Sequence, residues 1–160
     1  MATEDPLIQQ ATELVAGAET NANTSLISTL ETFPILREKN TEPWYFIMVV
    51  AETFVAATRL SQLNLEEERR KELMRIIEIR LDQWNLRAFD GFVDCKDFFD
   101  RALDALTNSD HERQFVSSDA IGSWIVWNII GHQPQSDEER RLVRHLGSLV
   151  IRAFSNWWGR

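Results

Sequence analysis

One cysteine in 160 residues, Cys95, leaves no partner for an internal disulfide and too few thiols for a cysteine-built metal cage. A reducing compartment is the simplest setting for such a chain, and a cytoplasmic protein is expected. Six glycines and four prolines are also few for this length. Neither Gly-x-x-x-x-Gly-Lys nor Gly-x-Ser-x-Gly occurs, so a phosphate-cradling loop and a nucleophile elbow are both excluded. So few breakers also mean few turns, which suits long helices better than many short strands.

Histidine is scarce as well. His111, His132 and His145 follow Asn108, Ile129 and Leu142 by three positions, so the Glu-x-x-His pairs of a carboxylate-bridged metal bundle are missing. There is no His-x-x-x-His either, and neither a metal nor another cofactor is expected. Basic residues number 17 against 25 acids, a net charge of −8, which argues against nucleic acid as the main partner.

The opening Met1-Ala2-Thr3-Glu4-Asp5-Pro6 has neither the basic start nor the apolar run of a secretory signal. The most apolar stretch, Trp44 to Leu60, is 17 residues long and contains Glu52 and Arg59. A bilayer requires about 20 apolar residues, so this segment reads as a buried central helix and no membrane partner is expected.

What remains is an ordinary globular composition, with 44% hydrophobic and 26% charged residues, enough for one packed domain over residues 1–160. Apolar spacing predicts helices almost throughout. Asp5 and Pro6 open the first, which places Leu7, Ile8, Ala11, Leu14, Val15 and Ala18 on one face and ends near Asn21. A short second segment carries Leu26, Ile27, Leu30 and Phe33 up to Pro34. The third runs from Thr41-Glu42-Pro43 to about Gln62. Asn64 with Glu67 forms a capping-box pattern for the fourth, and the fifth spans Asp90 to Leu106. Ser109 with Glu112 and Ser136 with Glu139 are two more such patterns. They open a sixth segment at about 110–131, with Ser117 a candidate break, and a seventh from 137 onward.

The expected fold is therefore all-α, a compact bundle of six to seven helices with Trp44–Leu60 and Ala120–Ile130 near its centre. Glu67-Glu68-Arg69-Arg70 recurs as Glu138-Glu139-Arg140-Arg141, about 71 residues on. Two pseudo-repeated helical hairpins would produce that echo, although the helix dipole alone favours acids before bases.

Candidate sites are few. Glu52, set in Val49-Val50-Ala51-Glu52-Thr53-Phe54-Val55, needs a partner or a raised pKa if buried, and either could mark a pocket or a structural ion pair. Asp90, Asp94, Asp97 and Asp104 fall within about 80° on the polar side of the fifth helix, a stripe that could attract a basic partner or simply be solvated. Arg141, Arg144, His145 and Arg152 turn away from the apolar face of the last helix and could meet that stripe on another copy. Trp157 and Trp158 are adjacent, and 100° per helical residue keeps both from one core, so Trp158 is a candidate interface anchor.

Arg140 and His145 have the Arg-x4-His spacing seen in HEPN-type ribonucleases, but the surrounding residues do not resemble that family. Five helical steps also set the pair about 140° apart. Cys95 lies on an apolar face, where a thiol acts as a small core residue, so no nucleophile is visible. These features favour a non-catalytic protein-interaction module of regulatory, immunity-type or homo-oligomeric kind, its partner another protein or itself. The competing readings are a small-ligand binder or enzyme with a pocket around Glu52, and an RNA-acting protein using Arg140 and His145.

Overall fold

A computed structural model of the chain describes residues 5–39 and 41–159. Within them lie six α-helices and four short 3-10 turns, with no strand. The helices are α1 (Pro6–Thr32), α2 (Trp44–Arg59), α3 (Glu67–Trp84), α4 (Ala88–Thr107), α5 (Val116–Ile130) and α6 (Asp137–Phe154). None is long and apolar enough to cross a membrane. The Met1–Glu4 part of the signal-peptide reading lies outside the described residues.

Asp5 caps α1 as its sequence implies, its carboxylate accepting from the Leu7 N–H at 3.0 Å with Pro6 in the first turn. The helix does not stop near Asn21, however. It runs 27 residues, about 40 Å at 1.5 Å per residue, and absorbs the segment expected to be separate. The polar run at 19–25 resembles a linker, yet Ala18, Ala22, Ser25 and Thr29 stay in the buried register. Hydroxyls in this stretch fold back on preceding carbonyls, Thr24 on Thr20 and Ser25 on Ala22, and satisfy themselves within the helix. The small buried residues admit the Trp44 indole, which donates to the Ala22 carbonyl at 3.0 Å.

α2 is buried over nearly its whole surface from Ile47 to Ala57 and touches each of the other five helices. This is the packing expected of a helix apolar on all sides. The Asn64 cap does not form. Arg70 instead holds the connection to α3 by donating to the carbonyls of Leu60, Leu63 and Leu65, and the N-cap moves to Glu66. The Ser109 pattern likewise opens no α-helix: Arg113–Phe115 is a 3-10 turn, and α5 begins at Val116. The Ser136–Glu139 capping box is formed in both directions.

The tail overturns the reading of Trp158. After Phe154 the chain leaves the α-helix and closes in a 3-10 turn at Trp157–Gly159, so the 100° step no longer separates the two indoles. Both are buried. Trp157 donates to the Gln10 carbonyl at 2.9 Å and Trp158 to that of Ala56 at 2.7 Å. Trp158 is therefore part of the core and not a surface anchor.

α5 and α6 make the closest helix contact. A Cβ placed on Gly122 would overlap the Val143 carbonyl, and one on Gly147 would overlap the Ser118 carbonyl. Only hydrogen at these two positions lets the backbones meet. The positions that echo one another, Arg70 and Arg141, have different settings: Arg70 ties down the turn before α3, whereas Arg141 lines a groove beside α6.

Candidate binding groove

That groove lies along α4, α5 and the first half of α6. Phe98, Ala102 and Leu106 of α4 form one wall; Asp119, Ser123 and Trp127 of α5 form the floor. Large rings fill the α4–α5 contact, with Phe98 and Trp127 meeting edge to face at 5.9 Å and 76°. Side chains of this size hold two helices further apart than glycine does. The opening falls into two chambers of about 640 and 530 Å³, and Phe98, Ala102 and Trp127 border both. Trp127, common to both, is 43% exposed, in a helix whose other large apolar residues are buried.

The larger chamber is positively charged within an acidic protein. His111, Arg140, Arg141 and Arg144 line it, against Asp119 and Asp137. Asp119 is buried and accepts from Arg144 Nη2 at 2.8 Å and Nε at 3.3 Å, while His111 Nε2 lies 2.7 Å from the same carboxylate. The bond to Asp119 raises the Arg144 pKa above its ordinary value, and the guanidinium also lies 3.8 Å over the Phe115 ring. Arg140 reaches Asp137 at 2.8 Å. Arg141 makes no ion pair with any described residue.

One end of the chamber is braced by Glu139. Backbone N–H groups of Gln135 and Ser136 donate to its carboxylate, the former at 2.9 Å, and hold its pKa below the ordinary range. His132 lies 3.6 Å from Glu139 and adds to that stabilisation. The smaller chamber carries Asp94 and Arg101, with Asp94 accepting from the Trp124 indole at 2.9 Å.

The residues singled out from sequence are scattered. Asp94 of the acidic stripe reaches the groove; Asp90, Asp97 and Asp104 are exposed and line neither chamber. Arg141 and Arg144 are groove residues, but Arg144 is committed to Asp119, and Arg152 is exposed elsewhere on α6. Arg140 and His145 share no contact: His145 packs on Phe33 at 5.1 Å between ring centroids. Burial, with Arg152 nearby, lowers the His145 pKa.

Glu52 is wholly buried and lines neither chamber, so the pocket expected around it is absent from both. Asn21 donates to its Oε1 at 2.6 Å, and Oε2 has no partner among the described residues. Burial raises its pKa well above the ordinary 4.5, and the Asn21 bond opposes that only in part. Burial, together with the charge of Asp94, also raises the Cys95 pKa. Among the described residues no three His, Cys, Asp or Glu side chains are grouped to hold a metal.

The sequence reading passed over Phe98 and Asp119, weighed His111 only as a metal ligand, and placed Trp127 within the deeply packed Ala120–Ile130 segment. A usable signal was present at Asp119, the only charged residue between Val116 and Ile130. An acid embedded in an apolar helix raises the same question there as at Glu52. Comparisons with protein-family models, curated proteins and solved structures return no match.

Proposed function

We propose that the chain is a non-catalytic binding module that seats a segment of a partner protein in the groove between α4, α5 and α6. The observation that carries this reading is the exposed Trp127, shared by two adjoining and largely apolar chambers with arginines on one rim. Tryptophan and arginine are the residue types that most often dominate binding energy at protein interfaces, and large apolar surface left open to water commonly marks a contact site. The carboxylate-held Arg144 and the glycine-packed α6 keep that rim in place before any partner arrives, which reduces the ordering cost of binding.

A photo-reactive residue replacing Gln133, at the groove rim, tests this in the producing cell, with the same residue at Arg75 on α3 as the control surface. The expected result is an adduct from position 133 that mass spectrometry maps to one segment of one protein and that Trp127→Ala abolishes. Adducts that form equally from both positions, or that persist in Trp127→Ala, would sink the proposal.

The larger chamber favours a second reading, a small amphipathic acid. Its volume of about 640 Å³ falls within the roughly 300–1,000 Å³ typical of small-ligand pockets. Native mass spectrometry of the purified chain separates the two, since a bound molecule below 1 kDa that is lost in Arg141→Glu supports only the small ligand.

A further inference from the structure

We infer that the segment seated in the groove is an acidic amphipathic helix, with two apolar anchors one turn apart straddling Trp127 and its carboxylates directed to the α6 rim. The inference rests on the binding role proposed above and narrows it to one kind of occupant.

An extended peptide gains affinity by adding to a sheet edge, where its N–H and C=O groups find partners. The described residues contain no strand, and the groove walls are helices whose main-chain groups already bond to one another. An extended segment lying on Phe98, Ala102 and Trp127 would lose water from its peptide groups and gain no partners for them. A helix brings those bonds satisfied within itself and presents only side chains, the arrangement that apolar grooves between helices accept.

The two chambers adjoin and share Phe98, Ala102 and Trp127, of which Trp127 is exposed and the other two are half-buried. Side chains at i and i+3 or i+4 of a helix stand about 5–6 Å apart, close to the width of an indole such as the one both chambers share. Two large apolar residues at that spacing fill one chamber each.

In the larger chamber Arg144 and His111 converge on Asp119, and Arg140 is bound to Asp137, which leaves Arg141 as its cation without an ion pair to a described residue. The smaller chamber balances Asp94 against Arg101. The groove thus has a positive end and a neutral end, and an acidic side chain one turn beyond the first anchor meets Arg141. With a Debye length of about 8–10 Å, this local charge is felt at contact distance while the net −8 of the whole chain is largely screened.

Two phage-displayed libraries decide the matter against the full-length chain. One presents a randomised face on a stable helix, and the other presents proline-flanked extended segments. Enrichment is expected from the helical library, in clones carrying two of Leu, Ile, Phe, Met or Trp at i and i+3 or i+4 with Asp or Glu beyond one of them. Synthetic peptides from those clones should weaken about tenfold or more on Trp127→Ala. On Arg141→Glu they should weaken while the same peptides with Lys in place of Glu strengthen, and Arg75→Glu should change neither.

Enrichment confined to extended clones, or to clones rich in Lys and Arg, overturns the helical acidic occupant but leaves the binding role standing. Helical binders indifferent to Arg141→Glu overturn the charge assignment in the same way. Failure of both libraries to yield any clone dependent on Trp127 overturns this inference and the binding role together. Circular dichroism and thermal melting of each variant show whether a lost interaction reflects lost folding.

Discussion

α5 meets its two neighbours in opposite ways. Toward α6 it offers Ser118 and Gly122, which meet Val143 and Gly147 so closely that no side-chain carbon fits between the backbones. Toward α4 it offers Trp124 and Trp127, and rings separate the helices. The first contact is dry and intolerant of added atoms; the second leaves two chambers open to solvent. One depends on the other, because a groove keeps its shape only if the helix forming its floor is fixed from behind.

The largest test of this contrast is Gly147→Ala. Helix propensity alone favours alanine by about 1 kcal/mol. Overlap with the Ser118 carbonyl must instead push α5 from α6, and a net loss of about 2–3 kcal/mol is expected in urea unfolding. Unchanged or increased stability would show that this contact is as forgiving as the ring-filled one.

Asp119→Ala comes next, since it removes the buried acceptor of Arg144 and the partner of His111. A loss of about 2 kcal/mol is expected by the same measurement, with a shift in the near-ultraviolet signal of the groove tryptophans. A silent result would mean that the arginine rim is held by its packing on Phe115 alone.

Glu52→Gln should act in the opposite direction. Burial disfavours the charged form of the folded carboxyl, while the unfolded chain ionises near the ordinary 4.5, so the contribution of this group to stability is fully present below that pH. It is lost as pH rises toward the higher folded pKa. The Gln variant should therefore melt at a higher temperature than the parent at neutral pH, with a flatter dependence on pH above 4.5. A lower melting temperature at neutral pH would mean that the ionised form has a partner. Trp127→Ala should cost about 1–2 kcal/mol in stability, because the ring is partly in water yet meets Phe98 edge to face, and its larger effect is expected in binding.

Much of the fold was legible because apolar spacing repeats over whole helices. α2 announced its central position by being apolar on all sides, and Ser136 with Glu139 announced the start of α6. Errors arose where a local pattern competed with distant packing. The polar residues at 19–25 look like a turn until the Trp44 indole and Glu52 are seen to use Ala22 and Asn21. Trp157 and Trp158 were read as helical neighbours, whereas α6 ends before them. The groove was largely illegible, for it depends on how far α4 stands from α5, a distance set by residues from three helices. Arg141 and Arg144 were visible as a basic face, but only the structure shows which of them Asp119 already occupies.

The bond from the Trp157 indole to the Gln10 carbonyl joins positions 147 residues apart. During synthesis α1 is complete well before the ring that packs against its Gly17 is made. At ribosomal speeds of about 5–20 residues per second, that face waits roughly 7–30 s for its cover. The molecule is in this respect a clasp rather than a stack, and its interior is sealed only after translation has passed residue 158.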